Sequence, residues 1–461
     1  MKQVCLAACL LFGVPAAPGA ETTASGAADW MGVAGASAEL VPEPVFGGRI
    51  MLYRAGPRDA DAVVLIHGLG NAAARDWSKV IPALAENYEV YALDLPGFGQ
   101  SDKGNHLYSP ESYVRAIDEV LLARVPRSFA LIGHSMGGAI ALAYAAGYPQ
   151  RVRRLIVADA AGVLHRWVYV EFLGRAGAKR LMGMDSPWFE SLIRMIQNKA
   201  EYLPAKLGIA LELAEVRQRL LRGEPAAIAA VALVEHDLSR ALRSITAPTL
   251  VIWGSDDKIA PLRTGQALAG VIPGARLAVI PGAGHEPQLE TPQRFNAIVL
   301  DELRGRLEAK PYALRKAPIR GGRTARCAGE RGQEFSGNYE RLILENCADV
   351  QVTDARIGFL RATNSTARIV NSQIRDGVGA VNSRLEFTAG FVGGSPPLTL
   401  YATSVDAAGT RFEPEDVVVL NRGSSSVTLR LSVTEVSRAN AAPRYAHDII
   451  RLAPRQAWKA N

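Results

Sequence analysis

The sequence predicts an α/β domain with a doubly wound, mostly parallel sheet, followed by an all-β domain. Between residues 48 and 310, apolar runs typical of buried strands alternate with helical segments, and several of these runs end in short polar turns. Past residue 334 the helical periodicity stops, and short apolar triplets recur between Asn, Asp, Ser and Gly. With 461 residues, 48% of them hydrophobic, the chain is long enough for two cores.

Composition shifts along the chain suggest where its parts begin and end. Strand-helix alternation breaks between Val163 and Arg243, where large apolar residues are scattered through helical sequence, and Pro311 to Arg326 is rich in Arg, Gly and Pro. We therefore expect, in order, a signal peptide at 1–20, a linker at 21–47, an α/β domain at 48–310 with a helical cap at 163–243, a linker at 311–333, and a β-rich repeat domain at 334–461.

The first twenty residues have the three parts of a secretory signal peptide. Lys2 precedes an apolar run from Val4 to Val14, and small residues follow before Glu21. We therefore expect export to a periplasmic or extracellular location. Because Leu6-Ala7-Ala8-Cys9 resembles a lipobox, a lipid anchor at Cys9 is the alternative. No other apolar run reaches about eighteen residues, so no transmembrane segment is expected.

Cysteine usage agrees with export. Two of the four cysteines lie in the predicted signal peptide, which leaves Cys327 and Cys347. Two cysteines in an oxidising compartment favour one disulfide, and a loop of this length would stabilise the fold by about 3 kcal/mol. Two free buried thiols remain the alternative.

The segment Gly133-His134-Ser135-Met136-Gly137 is the strongest chemical signal in the chain. It lies between the apolar run Phe129 to Ile132 and an Ala-rich helical segment, so it predicts a strand, a tight turn and a helix with a serine at the apex. Glycines two residues before and after the serine leave room for the close approach of neighbouring backbone. Ser135 is therefore the candidate nucleophile.

Candidate partners for this serine follow two later strands. The run Thr249 to Trp253 ends in Gly-Ser-Asp256-Asp257, and the run Leu277 to Ile280 ends in a turn that carries His285. Carboxyl ends of parallel strands meet at one edge of a sheet, so these side chains can converge on Ser135. Histidine can act as the general base and a carboxylate can orient it. Asp256 and Asp257 compete as the acid, and Asp159, after another strand, is a weaker candidate.

Backbone donors for an oxyanion are expected close to the serine. The apolar run Val63 to Ile66 leads into the turn His67-Gly68-Leu69-Gly70, which can aim an N–H group at the serine. Together with the N–H of Met136, this turn would form an oxyanion hole. The side chains of His67, His134 and Asp94 are expected to be structural, with the backbone at the two histidines mattering more than their rings.

Five segments carry a resemblance to a known family. They are HGLGN at 67–71, DLPGFGQSD at 94–102, GHSMGG at 133–138, WGSDDKIAP at 253–261 and PGAGHEPQLETP at 281–292. Over about residues 48–310 the chain resembles the α/β-hydrolase fold superfamily, in its capped esterase, lipase and epoxide-hydrolase-like branch. The resemblance implies Ser135 as nucleophile, His285 as base, Asp257 as acid, and the backbone N–H groups of Leu69 and Met136 as the oxyanion hole. It also implies a helical cap over the site.

The residue at position 135 narrows the chemistry. Epoxide hydrolases and haloalkane dehalogenases of this branch carry aspartate there, so the serine implies an acyl-serine intermediate and a carboxylic ester substrate. The apolar cap predicts a small substrate with a hydrophobic acyl or aromatic group. A cofactor-free carbon–carbon hydrolase, an acyltransferase and a non-catalytic binding protein on a hydrolase scaffold stay open. No cofactor or metal is expected, since His165 and the run 235–237 lack a metal-binding spacing.

The second half of the chain shows a short repeat. Residues 352–357, 369–374 and 400–405 each place two apolar residues five apart, and an imperfect copy begins at Leu385, which gives steps of 17, 16 and 15. This pattern predicts a right-handed parallel β-helix, with a β-sandwich as the alternative. We expect this domain to be non-catalytic and to bind an extended partner such as a polysaccharide, or a protein. The net charge of +7 is scattered, which argues against a nucleic-acid partner.

Overall fold

The structure is a computed structural model. The structure describes residues 26–125, 127–165, 211–312, 318–319, 322–439 and 441–459. The predicted signal peptide with Cys9, and residues 166–210 of the predicted cap, lie outside the described residues. Among the helices of the described ranges, none is both long enough and apolar enough to cross a membrane.

An eight-stranded sheet forms the centre of the first half. Its strand order is β1-β2-β4-β3-β5-β6-β7-β8; the β1–β2 and β2–β4 pairs are antiparallel and the other pairs are parallel. The mostly parallel sheet predicted from the apolar runs is confirmed. The strands are β1 Ser37–Glu43, β2 Gly48–Ala55, β3 Ala62–Ile66, β4 Glu89–Asp94, β5 Phe129–His134, β6 Val152–Ala158, β7 Thr249–Gly254 and β8 Arg276–Ile280.

Helices accompany this sheet. The α-helices of the described residues are α1 Ile81–Leu84, α2 Pro110–Arg124, α3 Met136–Gly147, α4 Ala214–Leu221, α5 Pro225–Glu235, α6 Ala241–Ser244, α7 Leu262–Val271, α8 Pro287–Glu290 and α9 Pro292–Leu303, with 3-10 turns at Asp29–Met31 and Ala73–Trp77. Strands β3, β4, β5 and β7 are buried along their whole length, as parallel strands covered on both faces must be.

Glycine lets α3 approach the sheet closely. A Cβ atom on Gly137 would lie 2.3 Å from the carbonyl oxygen of Ile66, at the end of β3. A Cβ atom on Gly133 would lie 2.2 Å from the carbonyl oxygen of Gly137. Any larger residue at either position would push the helix away from the strand ends, so these two glycines fix the position of the turn between β5 and α3.

The second half of the chain is an all-β domain, as predicted. Its strands form a curled sheet: β9 Arg323–Ala328, β10 Glu334–Glu345, β11 Val350–Thr363, β12 Thr366–Val370, β13 Gln373–Ile374, β14 Val378–Val381, β15 Arg384–Thr388, β16 Phe391–Gly393, β17 Leu398–Tyr401, β18 Ser404–Ala408, β19 Arg411–Glu413, β20 Val417–Asn421, β21 Val427–Ser432, β22 Thr434–Val436, β23 Arg444–Ala446, β24 Ile449–Leu452 and β25 Ala457–Lys459. Strand β9 begins inside the segment predicted as a linker.

Most pairings in this domain are parallel and join each strand to the third strand after it. One ladder runs β12–β15–β18–β21, a second β13–β16–β19–β22, and a third β14–β17–β20. Among the described strands of this domain, only the last three, β23 to β25, turn back and pair antiparallel with β22, β21 and β20. A β-sandwich of antiparallel sheets, the alternative left open by the sequence, does not match these ladders.

The repeat predicted from the sequence is correct at its start and wrong further on. Val352 aligns with Ile369 and Ile357 with Ile374, as the first step of 17 requires. Ile369, however, aligns with Phe387 rather than Leu385. Leu400 aligns with Ala380, in a different ladder. The strands keep their order, but the turns between them lengthen along the chain. A predicted repeat whose steps stay constant or shrink therefore no longer aligns the residues that pair.

Asparagines at one turn stabilise the curled sheet. Asn346, Asn364 and Asn382 adopt left-handed backbone conformations with φ of 55°, 47° and 45°, which asparagine tolerates better than most residues. Their side chains form a ladder: Asn364 donates to Asn346 over 3.0 Å, and Asn382 donates to Asn364 over 2.9 Å. The next residues continue the pattern, because the N–H of Ser365 donates to the hydroxyl of Ser383 over 3.1 Å.

The predicted disulfide between Cys327 and Cys347 is present. It joins the end of β9 to the turn after β10, and its Cα atoms lie 6.4 Å apart. Both cysteines are buried in the core of the all-β domain.

The two halves pack against each other through α7 and a second turn of the curled sheet. That turn carries Asp354 and Asn371 in its first two copies, and then Ala389, Gly409 and Val433, all with positive φ. The turn changes from polar residues to small or apolar ones at the copies that contact the α/β half. A Cβ atom on Gly409 would lie 2.8 Å from the carbonyl oxygen of Ala267 on α7, and Val433 belongs to the core of the α/β half. The side chain of Arg263 crosses the same contact.

Candidate active site

Ser135 lies at the apex of the turn between β5 and α3. Its backbone has φ 51° and ψ −118°, a conformation that side-chain-bearing residues rarely adopt. Hydrogen bonds hold it there: the N–H of Ser135 donates to the carbonyl of Ala158 over 3.0 Å, and its own carbonyl accepts from the N–H of Ala161 over 3.1 Å. The serine is thus fixed between the ends of β5 and β6.

The structure brings the three residues predicted as a triad together. The hydroxyl Oγ of Ser135 lies 2.9 Å from Nε2 of His285, and Nδ1 of His285 lies 2.8 Å from Oδ2 of Asp257. The other oxygen of Asp257 accepts from the N–H groups of Ile259 and Ala260 over 2.7 and 2.9 Å. These three bonds orient the carboxylate, so Nε2 of His285 faces the serine as an acceptor.

Asp256, the competing acid, points elsewhere. Its Oδ1 accepts from the hydroxyl of Ser255 over 2.6 Å at an exposed position. The side chain of Asp257, in contrast, is fully buried beside His285. The geometry therefore favours Asp257.

The rings of His134 and His67 matter more than the sequence suggested. Nε2 of His134 donates to the backbone carbonyl of His285 over 2.7 Å. Burial, with a smaller contribution from His285, lowers the pKa of His134 to about 3, so this ring is neutral. Nε2 of His67 accepts from the N–H of Leu95 over 2.9 Å, and its Nδ1 donates to the carbonyl of Gly68 over 2.7 Å. Both rings hold backbone segments of the site, which is a structural role as expected, but it is the rings that make these hydrogen bonds.

The predicted oxyanion loop lies against the serine. A Cβ atom on Gly68 would be 3.0 Å from the Cβ atom of Ser135. Met136 is the first residue of α3, so its N–H group has no acceptor within the helix. Asp94 stabilises the neighbouring turns, as expected of a turn residue. Its carboxylate accepts hydrogen bonds from the N–H groups of Ala74 and Gln100 over 2.9 and 2.8 Å. The oxyanion roles of Leu69 and Met136 stay predictions.

Asp76 is a buried carboxyl group near the site that sequence reasoning missed. Burial is the main cause that raises the pKa of Asp76 to about 7, and the charge of Glu286 adds to it. A hydrogen bond from the backbone of Gly68 and the nearby His285 act in the opposite direction. The carboxyl group therefore lies under the oxyanion loop and near the histidine, and no sequence motif marks it.

Asp159 is a second acid beside the triad. Each of Asp159, Asp257 and His285 offers one potential ligand atom, and these atoms all lie within 4.8 Å of one another. Within the described ranges this is the one such group of potential metal ligands. The hydrogen bonds of His285 and Asp257 already use the atoms that a cation would need. The absence of a metal stays a prediction.

The other histidines considered for metal binding lie apart. Nδ1 of His236 is 2.8 Å from a carboxylate oxygen of Glu111. The ring of His165 packs against the ring of His447 with centroids 5.2 Å apart.

Helix α5, the longest described helix of the predicted cap, lies close to the serine turn. Its residues Ala227 to Leu233 are buried, and all of them are apolar. A Cβ atom on Gly162 would lie 2.6 Å from a methyl carbon of Leu233, and Gly162 follows Ala161, which bonds Ser135. Apolar side chains of α5 therefore pack on the segment next to the nucleophile.

Comparison with known proteins identifies the fold family of the first half of the chain. A family model described as alpha/beta hydrolase fold matches residues 61–292. An uncharacterized protein of Mycobacterium tuberculosis is 30% identical over 285 residues, covering 58% of this chain and 83% of its own. A 2-hydroxy-6-oxononadienedioate/2-hydroxy-6-oxononatrienedioate hydrolase of Cupriavidus pinatubonensis is 33% identical over 259 residues, covering 53% and 87%. Among solved structures, a thermophilic esterase from Thermogutta terrifontis gives a TM-score of 0.44 at 25% identity, covering 58% and 98%.

Proposed function

The chain belongs to the α/β hydrolase fold family and is a hydrolase, and from this premise we propose that it is an exported serine esterase. Its substrate is a small carboxylic ester with a hydrophobic acyl or aromatic group. The observation that carries the proposal is the continuous hydrogen-bonded relay from Ser135 through His285 to Asp257, with distances of 2.9 and 2.8 Å.

The relay suggests the course of the reaction. As Oγ of Ser135 attacks the ester carbonyl, Nε2 of His285 takes the hydroxyl proton, and the carboxylate of Asp257 stabilises the imidazolium. The oxyanion that forms is held by the backbone N–H groups of Leu69 and Met136. His285 then gives its proton to the leaving alcohol, and an acyl-serine remains. Water, activated by the same histidine, hydrolyses this intermediate and restores the serine.

The neighbourhood of α5 supports a hydrophobic substrate. The helix presents only apolar residues from Ala227 to Leu233, next to the segment that bonds Ser135. Most of these buried side chains belong to the hydrophobic core of the α/β half. A substrate bound beside this core would favour an acyl or aromatic group over a charged one, because a charge would lose its hydration there.

A series of nitrophenyl esters with rising acyl length tests the proposal. We expect kcat/KM to rise with acyl length up to a limit, and Ser135→Ala to reduce turnover by at least about 10³-fold. Ser424→Ala, a serine exposed on the all-β domain, is the matched control and should behave as wild type. The same assay with a chelator should show no loss, as a metal-free relay requires. Hydrolysis that survives in Ser135→Ala would exclude the serine as nucleophile.

A carbon–carbon bond hydrolase is the second candidate, and the relative from Cupriavidus pinatubonensis favours it. The chain covers 87% of that protein at 33% identity. Both reactions would need the same serine, so Ser135→Ala does not separate the two functions. The ratio of kcat/KM for a 2-hydroxy-6-oxo-dienoate to kcat/KM for a nitrophenyl ester does separate them. A ratio well above one would contradict the esterase proposal and favour the carbon–carbon bond hydrolase.

We also propose export and a β-helical second domain. The disulfide between Cys327 and Cys347 supports an oxidising compartment, and the parallel ladders that join every third strand support the coils of a right-handed parallel β-helix. The proposed division is 48–310 and 334–461, and the second part would bind a polysaccharide or protein. Fractionation of cells with an intact-mass measurement tests export: a chain that keeps residues 1–20 and stays in the cytoplasm would contradict it, whereas a lipid on Cys9 would indicate the anchored alternative. A crystal structure of the full chain tests whether the parallel strands form the coils of a right-handed β-helix.

A further inference from the structure

Asp159 is an unusual residue that the relay leaves unused. It directly follows β6, its side chain is fully buried, and its backbone has φ 45°. Burial of a carboxyl group and a left-handed backbone at a non-glycine residue both cost free energy. Strain of this kind persists where the surrounding structure enforces it, and it often accompanies function.

The bonds of Asp159 tie it to the strand that leads to the acid. Its Oδ1 accepts from the N–H of Gly254 over 2.9 Å, and its own N–H donates to the carbonyl of Ile252 over 3.1 Å. Both partners belong to β7, which ends three residues before Asp257. The second oxygen, Oδ2, is buried and has no donor in the described part of the chain. An ionised carboxylate would therefore leave one oxygen without any partner.

The charges around Asp159 favour its neutral form. Asp257 lies within the same 4.8 Å group, and Glu290 adds a further negative charge. Burial first, and the charge of Asp257 second, raise the pKa of Asp159 well above the usual range of an aspartate. Two carboxylates this close do not both ionise readily, and Asp257, which accepts two backbone N–H groups and His285, is the better satisfied anion.

We propose that Asp159 is a positioning residue of this hydrolase: as the neutral acid it donates a hydrogen bond from Oδ2 to the carboxylate of Asp257 and so fixes that carboxylate against His285. The inference rests on the proposed serine mechanism. With this bond Asp257 accepts from four donors, which matches the number of lone-pair positions on a carboxylate. The carboxylate is then held at the angle that the imidazole needs, and Asp159 itself touches no substrate.

The proposal makes opposite predictions for asparagine at the two acids. In Asp159→Asn the amide oxygen can still accept from Gly254, and the amide nitrogen can still donate to Asp257. In Asp257→Asn the negative charge that stabilises the imidazolium is lost. Asparagine should therefore be tolerated at 159 and damaging at 257. A simple need for negative charge near His285 would make both substitutions damaging.

The test measures kcat and KM for a nitrophenyl ester in full-length wild type, Asp159→Asn, Asp159→Ser, Asp159→Ala and Asp257→Asn, with melting temperatures for each. We expect Asp159→Asn to stay within about threefold of wild-type kcat. We expect Asp159→Ala and Asp159→Ser to lose at least tenfold in kcat with KM changed less than threefold, and Asp257→Asn to lose about 10³-fold or more. If Asp159→Asn keeps its kcat while Asp159→Ala loses kcat with little change in KM, Asp159 acts by positioning and not through the general stability of the fold.

Two results would overturn the proposal. One is a tenfold or greater loss of kcat in a folded Asp159→Asn variant, and the other is wild-type kcat in Asp159→Ala. Labelling by a fluorophosphonate distinguishes this failure from failure of the mechanism. If wild type is labelled at Ser135 and the alanine variant is labelled equally fast, only the role of Asp159 is wrong. If wild type is not labelled at all, the serine mechanism itself fails.

Discussion

Arg263 offers a quantitative test of how the two halves of the chain are held together. It lies on α7, and its guanidinium donates to Oδ1 of Asp406 over 2.8 Å, to the hydroxyl of Thr388 over 2.9 Å and to the carbonyl of Phe387 over 3.2 Å. The side chains of Arg263 and Asp406 are only 12% and 11% exposed. Nε of Arg263 also lies 3.5 Å from a carboxylate oxygen of Glu386, so Arg263 places a buried charge and four partner residues across the contact between the halves.

Replacing Arg263 by methionine keeps much of the side-chain volume and removes the charge. The carboxylate of Asp406 is then left buried without its cation, and breaking a buried pair in this way costs about 3–5 kcal/mol. In the double variant Arg263→Met/Asp406→Asn neither charge remains, so we expect part of that loss to be recovered, with a coupling free energy of about 1–3 kcal/mol. The exposed pair of Arg331 and Asp349 is the control, and Arg331→Met should cost less than about 1 kcal/mol.

Urea unfolding, followed by tryptophan fluorescence and far-ultraviolet circular dichroism, measures these free energies. In the Arg263→Met variant the two signals should also separate, because the halves lose a shared contact. If Arg263→Met costs no more than Arg331→Met and both signals stay coincident, the buried pair does not hold the halves together.

Three further predictions concern stability. Asp76 keeps its proton up to about pH 7 in the folded chain, whereas its ordinary pKa is 3.8. Its contribution to wild-type stability is therefore lost as the pH rises from about 4 to 7. Asp76→Asn should be stabilising at pH 8, by at most about 4 kcal/mol, and should have almost no effect at pH 4. Equal effects at both pH values in urea titrations would contradict this. Cys347→Ser should lower the free energy of unfolding by about 3 kcal/mol under non-reducing conditions, and an unchanged midpoint would refute a stabilising bridge. Asn364→Ala should cost about 1–2 kcal/mol in the same assay, since alanine tolerates the left-handed backbone less well and loses both ladder bonds. A urea midpoint equal to wild type would show that the ladder contributes nothing.

The sequence predicted the parts of the site that follow local rules. A serine between glycines at a strand-to-helix turn, and an acid and a histidine after later strands, are visible in single segments, and strand ends of a parallel sheet converge by topology. The bond from His134 to the carbonyl of His285 joins residues 151 positions apart and has no such signal. The burial of Asp76 and Asp159 was equally hidden, because it depends on what packs around them.

The all-β domain shows a similar limit. The first repeat spacing was readable because Val352 and Ile369 begin equal units, and the Asn-Ser pairs at 364 and 382 mark one turn of the curled sheet. Later turns lengthen by amounts that no local pattern fixes. The exchange of asparagine for Ala389 and Gly409 makes sense only beside α7, so the contact between the halves could not be found from the sequence.

The reactivity of the Ser135 hydroxyl tests the central claim most directly. Intact-mass and peptide analysis after reaction with a fluorophosphonate should show one adduct per chain, located on Ser135. The adduct should be absent in Ser135→Ala, and in His285→Ala it should form at least about a hundredfold more slowly. An adduct on another residue, or no adduct on a folded chain, would contradict the account.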